Sequence, residues 1–401
     1  MDNITGLLEH IGNPQKHWPA IHLAGTNGKG STAAFIYSVL KSAGYRTGLY
    51  TSPHLVDFRE RIRVNDELIP RETLARYTSE MKSVIEEIKP TFFEATTALA
   101  FKYFAEQQVD IAVVETGLGG RLDATNLVQP LVTVITPIDI DHEQYLGKGT
   151  RNIAGEKAGI IKENIPCVIN IEVPEVAKIF EERCSQRNAP FYNVRTFASL
   201  QILRESVFGT VFNLEMENDN FRNLGISLAG EHQAWNAALA AAALRRTEGF
   251  KITEQNLQSG LQQAEWAGRL QVIRKEPLTI LDVAHNPHGF SKVFRFLKKQ
   301  FPDKKIFVMV GLAKDKDYHS IADIIKWNAD IVGVIDHFSE KELEADFLLE
   351  ALKDGTASIH RYANITEGYN ELNRQIESKD LLLIIGSHYL AGEFFQKIQI
   401  S

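Results

Sequence analysis

"HLAGTNGKGSTAAF", residues 22–35, decides how the chain is read. Three glycines and a lysine lie between the apolar stretch "AIHLA" (20–24) and the alanine-rich run "TAAFIYSVLKSAG" (32–44). A strand, a Gly-rich turn and a helix in this order present backbone N–H groups and the positive end of a helix to an anion. Gly25, Gly28 and Gly30 let the backbone approach phosphate oxygens, with Thr26 and Asn27 completing the turn. Lys29 offers a mobile cation for β- and γ-phosphates, and Ser31 or Thr32 a hydroxyl near a metal ion. The spacing departs from G-x-x-x-x-G-K-[ST]: the upstream glycine comes one position late, and Gly30 separates the lysine from Ser31. A glycine-rich turn with a surface lysine is the bland alternative. The strand before it and the helix after it favour the anion site.

Outward from this stretch, apolar runs of strand length alternate with amphipathic runs of helix length, the rhythm of a mainly parallel sheet. The helix after the loop stops at Gly44, and "RTGLYTS" (46–52) returns as a strand. Helices are expected over 71–88 and 94–107, then strands at "VDIAVVE" (109–115) and "PLVTVIT" (130–136). Segment 165–228 reads as a short strand, a helix near 174–187 and a β-hairpin over 199–216; helices are expected at 231–246 and 253–264. Near 266–270 the rhythm restarts with "LTILDVAH", "KIFVMVGLA", "DIVGVID" and "LLLIIGS", each separated by a helical stretch. This second, smaller α/β domain runs from about 270 to 401.

Length and composition agree: 401 residues suit two domains, with 44% hydrophobic and 24% charged side chains. A net charge of −7 argues against sequence-blind nucleic-acid binding, which needs a basic face. Cys167 and Cys184 stand alone, without a C-x-x-C partner, which argues against a disulfide framework or structural zinc. The start lacks the features of a signal peptide, and no apolar run approaches the ~18–20 residues of a membrane span. A cytoplasmic protein is the expectation.

"GTNGKGST" is the first of a series. "TSPHL" (51–55), "FRERI" (58–62), "FFEATTALAF" (92–101), "VVETGLGGRLDATN" (113–126), "DHEQYLG" (141–147), "IAGEKAGIIK" (153–162), "GEHQAWNAALA" (230–240), "WAGRL" (266–270), "DVAHNPH" (282–288) and "GSHYLAGE" (386–393) follow in order. Together they resemble the folylpolyglutamate synthase/dihydrofolate synthase branch of the Mur ligase superfamily over nearly the whole chain. The resemblance implies an α/β fold: a P-loop-type, mostly parallel sheet domain (1–268) that binds ATP, followed by a smaller Rossmann-like glutamate-ligase domain (269–401). It also implies an ATP- and magnesium-dependent ligase. The carboxylate of dihydropteroate or a reduced folate attacks the γ-phosphate, and L-glutamate captures the acyl phosphate. A monomer is implied, with neither nucleic acid nor membrane as partner.

The same resemblance supplies residue roles. Lys29, magnesium and an arginine neutralise the transferring phosphoryl group. Ser52, Glu115 and His142 become magnesium ligands; from ligand preference alone, Asp139 and Asp141 would be more usual than a histidine. Lys157 reads by residue type as a surface helix lysine, but the resemblance makes it a carbamylated ligand of a second magnesium. Gln233 and Asn236, three apart on one helix face, take the adenine. Arg269 would reach the γ-phosphate, and Asp282 would contact the ribose or position its domain. His285, His288 and Ser387 belong near the incoming glutamate, His285 as acceptor of the amine proton. For the pterin compound the resemblance points to Thr91, Phe92, Phe93, Glu94, Leu122, Asp123 and Ala124. Phe92 and Phe93 are either an aromatic face for a flat ring or core residues. Arg59, Arg61 and Arg63 alternate as on a strand, and either attract folate carboxylates or form a solvated basic face.

Family members usually carry a further segment before "GNPQ" that helps line the folate pocket, whereas this sequence starts with "MDNITGLLEHIGNPQ". A cell-wall Mur ligase is disfavoured by the 21 residues ahead of His22. A phosphotransferase without the ligase step leaves the second domain without a role. The alternative kept open is a non-catalytic ATP- or folate-binding homologue.

Overall fold

In the computed structural model, which describes residues 1–217 and 219–399, the stretch quoted above sits at the middle of a sheet. β1 (Ala20–Ala24), β2 (Thr47–Tyr50), β3 (Ile62–Val64), β4 (Glu67–Leu68), β5 (Ile111–Glu115), β6 (Pro130–Ile135), β7 (Cys167–Ile169) and β8 (Phe191–Asn193) form it in the order β4-β3-β2-β5-β1-β6-β7-β8. β1 pairs in parallel with both β5 and β6. β2, β7 and β8 continue the parallel set, while β3 and β4 turn back as an antiparallel hairpin. β1, β2, β5 and β7 are buried along their whole length, as strands covered on both faces must be.

These strands belong to one compact unit, residues 1–205 with 209–227 and 231–265. One of its cores joins helix Asp2–His10, helix Phe92–Glu106 and the outer strands through Leu7, Trp18, Tyr50, Phe101 and Phe104. Trp18 meets Phe101 and Phe104 edge-on, with ring centroids 5.3 and 5.6 Å away. A second cluster joins Ala24, Ile135, Ile160, Ile169 and Phe180. The alanine-rich helix Glu231–Leu244 is buried from Ala237 to Leu244, and its small side chains let helix Lys29–Ser42 pack beside it.

Three local expectations are corrected. The helix expected over 71–88 is two, Arg71–Glu80 and Lys82–Ile88, joined at Met81. The hairpin at 199–216 is a three-stranded antiparallel sheet of β9 (Ala198–Ser206), β10 (Gly209–Met216) and β11 (Asp219–Ile226), in the order β11-β10-β9. Arg59 and Arg61 do not lie on a strand. Asp57 and Glu60 cap a 3-10 turn over Phe58–Arg61 by reciprocal hydrogen bonds, and that turn takes the segment away from the sheet.

The second unit comprises 206–208, 228–230 and 266–401. Its sheet is β12 (Gln271–Lys275), β13 (Leu278–Asp282), β14 (Ile306–Val310), β15 (Ile331–Ile335), β16 (Ser358–Tyr362) and β17 (Leu381–Ile385), in the order β12-β13-β17-β14-β15-β16. All but β12 are parallel. β17, last in the chain, enters between β13 and β14, so the strand order reverses there and a crevice opens beyond their carboxyl ends. Among the described residues, no helix is long and apolar enough to cross a membrane.

Phe104 is fully buried, and a Cβ at Gly48 of β2 would come within 2.9 Å of its ring. Phe104→Ala is expected to lower the stability of the first unit by about 3–5 kcal/mol, read by urea unfolding followed through tryptophan fluorescence.

Candidate active site

Parallel strands deliver the residues that follow them to one edge of the sheet, so the loops after β1, β2, β5 and β6 are neighbours by construction. The loop after β1 is 25–28, and helix Lys29–Ser42 springs directly from it. A Cβ on Gly25 would lie 1.8 Å from Thr136 Oγ1, and one on Gly28, where φ is 91°, 2.8 Å from Asn236 Oδ1. Glycine alone fits at either place. Thr26 and Asn27 donate their backbone N–H groups to Pro137 O at 3.0 and 3.2 Å, which pins the turn to the loop after β6. Thr26 Oγ1 also donates to Asp139 O and accepts from Asp139 N, both at 3.1 Å.

Three charged side chains converge on this turn. Lys29 Nζ donates to Gly25 O at 3.1 Å and stands 3.9 Å from Glu115 Oε1. Glu115, buried at the end of β5, accepts from Ser52 N at 3.2 Å. Lys157 Nζ donates to the same Gly25 O at 2.7 Å. Its residue type suggested a surface position; instead it is 5% exposed, because helix Thr150–Lys157 packs its last turn into the core beside the loop. Burial first, then the charge of Lys29, pull its pKa from 10.5 to about 7, against the opposing pull of Asp141 and Asp123. His142, at φ 54°, starts helix Glu143–Leu146, and its Nε2 lies 3.8 Å from Asp141 Oδ1.

Ser31 Oγ and Thr32 Oγ1, in the first turn of helix Lys29–Ser42, are buried without a hydrogen-bond partner. Buried hydroxyls left in that state are costly unless a ligand meets them. These hydroxyls and the Glu115 carboxylate are hard oxygen donors, the kind that a divalent cation bound with phosphate takes. Among the described residues, no three His, Cys, Asp or Glu side chains group to hold a metal by themselves. Asn236 Nδ2 donates to Gln233 Oε1 at 3.0 Å; both side chains are buried, and Asn236 lies directly behind Gly28.

The seven pterin candidates separate. Thr91 and Glu94 form the capping box of helix Phe92–Glu106, where each satisfies a backbone N–H of the other. Phe93 packs under Gly117 and beside Tyr50. Phe92 is 65% exposed, with the Arg61 guanidinium 5.6 Å over its ring and Phe58 edge-on at 5.8 Å. Leu122 is exposed, whereas Asp123 and Ala124 are buried. Asp123 accepts four hydrogen bonds, from the N–H groups of Gly117, Leu118 and Thr125 and from Thr125 Oγ1.

In the second unit, Asp282 ends β13 fully buried; its carboxylate accepts from Leu270 N at 2.8 Å and Ala284 N at 2.7 Å. Burial pushes its pKa up, and nearby Arg269 holds it down. His285 Nδ1 lies 3.0 Å from Val283 O. A carbonyl only accepts, so Nδ1 carries the proton and Nε2 is the basic nitrogen of the neutral ring. The His285 and His388 rings stand 5.5 Å apart at the β13/β17 crevice, where Ser387 caps helix His388–Lys397 by accepting from Tyr389 N at 3.0 Å. His288 is exposed in the first turn of helix Pro287–Gln300.

A glycine turn guarded by two lysines and a carboxylate, in a chain that also builds a second parallel sheet, defines a nucleotide-dependent ligase of the Mur class. Residues 23–244 match the Mur ligase middle domain, and residues 268–388 match the Mur ligase glutamate ligase domain. A dihydrofolate synthase/folylpolyglutamate synthase of Bacillus subtilis is 37% identical, over 98% of this chain and 93% of its own. The Mycobacterium tuberculosis folylpolyglutamate synthase complexed with ADP superposes with a TM-score of 0.92 at 30% identity, covering 100% of this chain and 95% of its own. Escherichia coli FolC in complex with DHPP and ADP gives a TM-score of 0.91 at 28% identity, covering 99% and 92%. The chain belongs to the folylpolyglutamate synthase/dihydrofolate synthase family of the Mur ligases, and it is an ATP-dependent ligase. The non-catalytic alternative is not favoured.

The depressed pKa of Lys157 has a thermodynamic consequence. Between about 7 and 10.5 the unfolded chain holds a proton at this amine that the folded chain lacks, so stability rises with pH through that window. Below it both states are protonated and the full cost remains. Lys157→Met is therefore expected to stabilise the ligand-free protein by about 2–5 kcal/mol near neutrality and below, the difference shrinking as pH rises. Urea unfolding at several pH values measures it.

Proposed function

We propose that the enzyme uses MgATP to join L-glutamate to the carboxylate of dihydropteroate, of reduced folates bearing γ-glutamyl chains, or of both. The observation that carries this reading is the convergence of Lys29, Lys157 and Glu115 on Gly25 beside two unpartnered hydroxyls. Such a site suits a triphosphate, and the names of the most similar relatives supply the substrate class.

An ionised carboxylate resists attack by an amine. In the proposed scheme its oxygen bonds to the γ-phosphorus as the bridge to the β-phosphate breaks, releasing ADP. The glutamate amine then bonds to the acyl carbon, phosphate leaves, and the amine proton passes to His285 Nε2. Lys29 and the turn's backbone hold the phosphates, while Gln233 and Asn236 face the base. Arg269 would serve the γ-phosphate, and Asp282, which accepts from Leu270 N and Ala284 N, orders the backbone that carries Arg269 and His285. Ser52, Glu115 and His142 would hold magnesium, as would Lys157 once its neutral amine is carbamylated. The ion supplies neutralisation of phosphate charge. His288 and Ser387 line the glutamate side, and the exposed Phe92 and Leu122 offer apolar surface to the pterin compound. The enzyme would act as a monomer, with the first 268 residues binding ATP and the remainder serving glutamate.

Mass spectrometry of products from ATP, magnesium and glutamate with dihydropteroate or tetrahydrofolate tests this. One glutamate added to the first, or several to the second, is expected; no glutamate-dependent phosphate release with either acceptor overturns the reading. Glu115→Gln is expected to lower kcat by about 100-fold or more, as loss of preorganised electrostatic support does.

A further inference from the structure

His22 has no role in the chemistry above, yet it is a fully buried histidine on the central strand, two residues before Ala24 and three before Gly25. Alternation along β1 puts Ala20, His22 and Ala24 on one face. Ala20 belongs to the core around Trp18 and Phe104, and Ala24 to the core around Ile160 and Phe180. His22 therefore sits where two apolar clusters meet, a place where a polar ring is retained only if its bonds do something.

Its Nε2 lies 2.8 Å from Thr125 Oγ1. That hydroxyl gives its single proton to Asp123 Oδ1 at 2.5 Å, so it accepts from His22, and the imidazole is the Nε2–H tautomer. Burial, with a smaller contribution from Lys162, holds the pKa of His22 down to about 3, which keeps the ring neutral. Beyond Thr125, Asp123 Oδ2 accepts from Gly117 N at 2.9 Å and Leu118 N at 2.8 Å. Those two amides begin the loop that leaves Glu115. The other end of the same loop leans on the helix of Lys157: Arg121 N donates to Glu156 O at 2.8 Å, and a Cβ at Gly120 would come within 3.0 Å of Lys157 Cα.

We propose that His22, Thr125 and Asp123 form a buried positioning relay that fixes the loop 117–121, and through it the placement of Glu115 relative to Lys157 beside the Gly25 turn. Asp123 is the link of the relay that holds the Gly117 and Leu118 amides. His22 and Thr125 are positioning residues, acting on the loop through Asp123. The catalytic consequence rests on the ligase reading above, whereas the structural one does not.

Two pairs of variants test the relay. His22→Leu and Thr125→Val remove the bond while keeping the shape, and His22→Gln and Thr125→Ser restore a donor or a hydroxyl. Deuterium uptake by peptides covering 116–124 and 150–160 is expected to accelerate about fivefold in His22→Leu, which removes a bond between neutral groups, and about tenfold or more in Thr125→Val, which removes the bond to the Asp123 carboxylate. Peptides from the second unit are expected to stay unchanged. In glutamate-dependent phosphate release, kcat is expected to fall about tenfold or more with KM for ATP within about threefold, because the turn's own amides still bind phosphate. The Gln and Ser variants are expected to stay near wild type in both assays. Unchanged exchange in folded Leu and Val variants overturns the relay, and so do losses that Gln and Ser fail to restore or that move KM and kcat together. Wild-type protein without ligase activity would sink the functional reading alone, since the exchange result still decides the relay. If His22→Leu does not fold, Thr125→Val against Thr125→Ser carries the test.

Discussion

Two amines share one carbonyl. Lys157 and Lys29 both point their Nζ atoms at Gly25 O, and Glu115 is the carboxylate close enough to Lys29 to balance part of that charge. At an effective dielectric near 20, two like charges 4 Å apart repel by about 4 kcal/mol. That repulsion is one of the causes, after burial, that lower the Lys157 pKa to about 7, and an anion carrying several charges would relieve it. The backbone geometry makes the crowding possible: Gly25 and Gly28 have no side chain, so Thr136 presses on the turn from one side and Asn236 from the other.

The parallel sheet turns that local constraint into a site. Residues far apart in the chain, Ser52, Glu115 and the 136–142 loop, share an edge because the strands before them run the same way. The second unit repeats the device with different chemistry. Where β17 enters between β13 and β14, Asp282, His285, Ser387 and His388 gather at strand ends. One unit thus concentrates cations and oxygens suited to phosphate, and the other brings two imidazoles and a buried carboxylate to its strand ends.

Most of this frame was legible in the sequence, because long apolar runs and glycine spacing are strong signals. β1, β5, β6, β13, β14, β15 and β17 are predominantly apolar runs, and each stands where the pattern put it. The strands that escaped notice lie at sheet edges. "DNFRNLGI", "QVIRK" and "SIHRY" mix polar residues into short segments, since an edge strand needs only one covered side. "TFFE" carries a readable signal beside the pterin role that the resemblance implies: Thr and Glu three apart before an apolar run are a capping box. The burial of Lys157 could not be read from its residue type, because it depends on which face of its short helix meets the loop. His22 gave no signal either. A lone histidine in an apolar strand acquires meaning only when Thr125, 103 positions on, is folded against it.

The buried relay and the phosphate turn are electrically one object. Lys157 is pulled towards neutrality by burial and by Lys29, and held towards its charged form by Asp141 and Asp123. Asp123 is itself a buried carboxylate whose pKa is raised by that burial and opposed only by the hydrogen bonds it accepts from Thr125, Gly117 and Leu118. Each of those bonds favours the ionised carboxylate, and the ionised carboxylate favours the protonated lysine. The hydroxyl of Thr125 therefore acts at two removes on the amine beside Gly25, and His22 acts on it through the orientation of that hydroxyl. An ordinary core histidine could be exchanged for an apolar residue of similar volume at modest cost. Here the exchange would also loosen the carboxylate that helps set the charge on Lys157, so the ring belongs to the electrostatics of the site although it touches nothing that reacts.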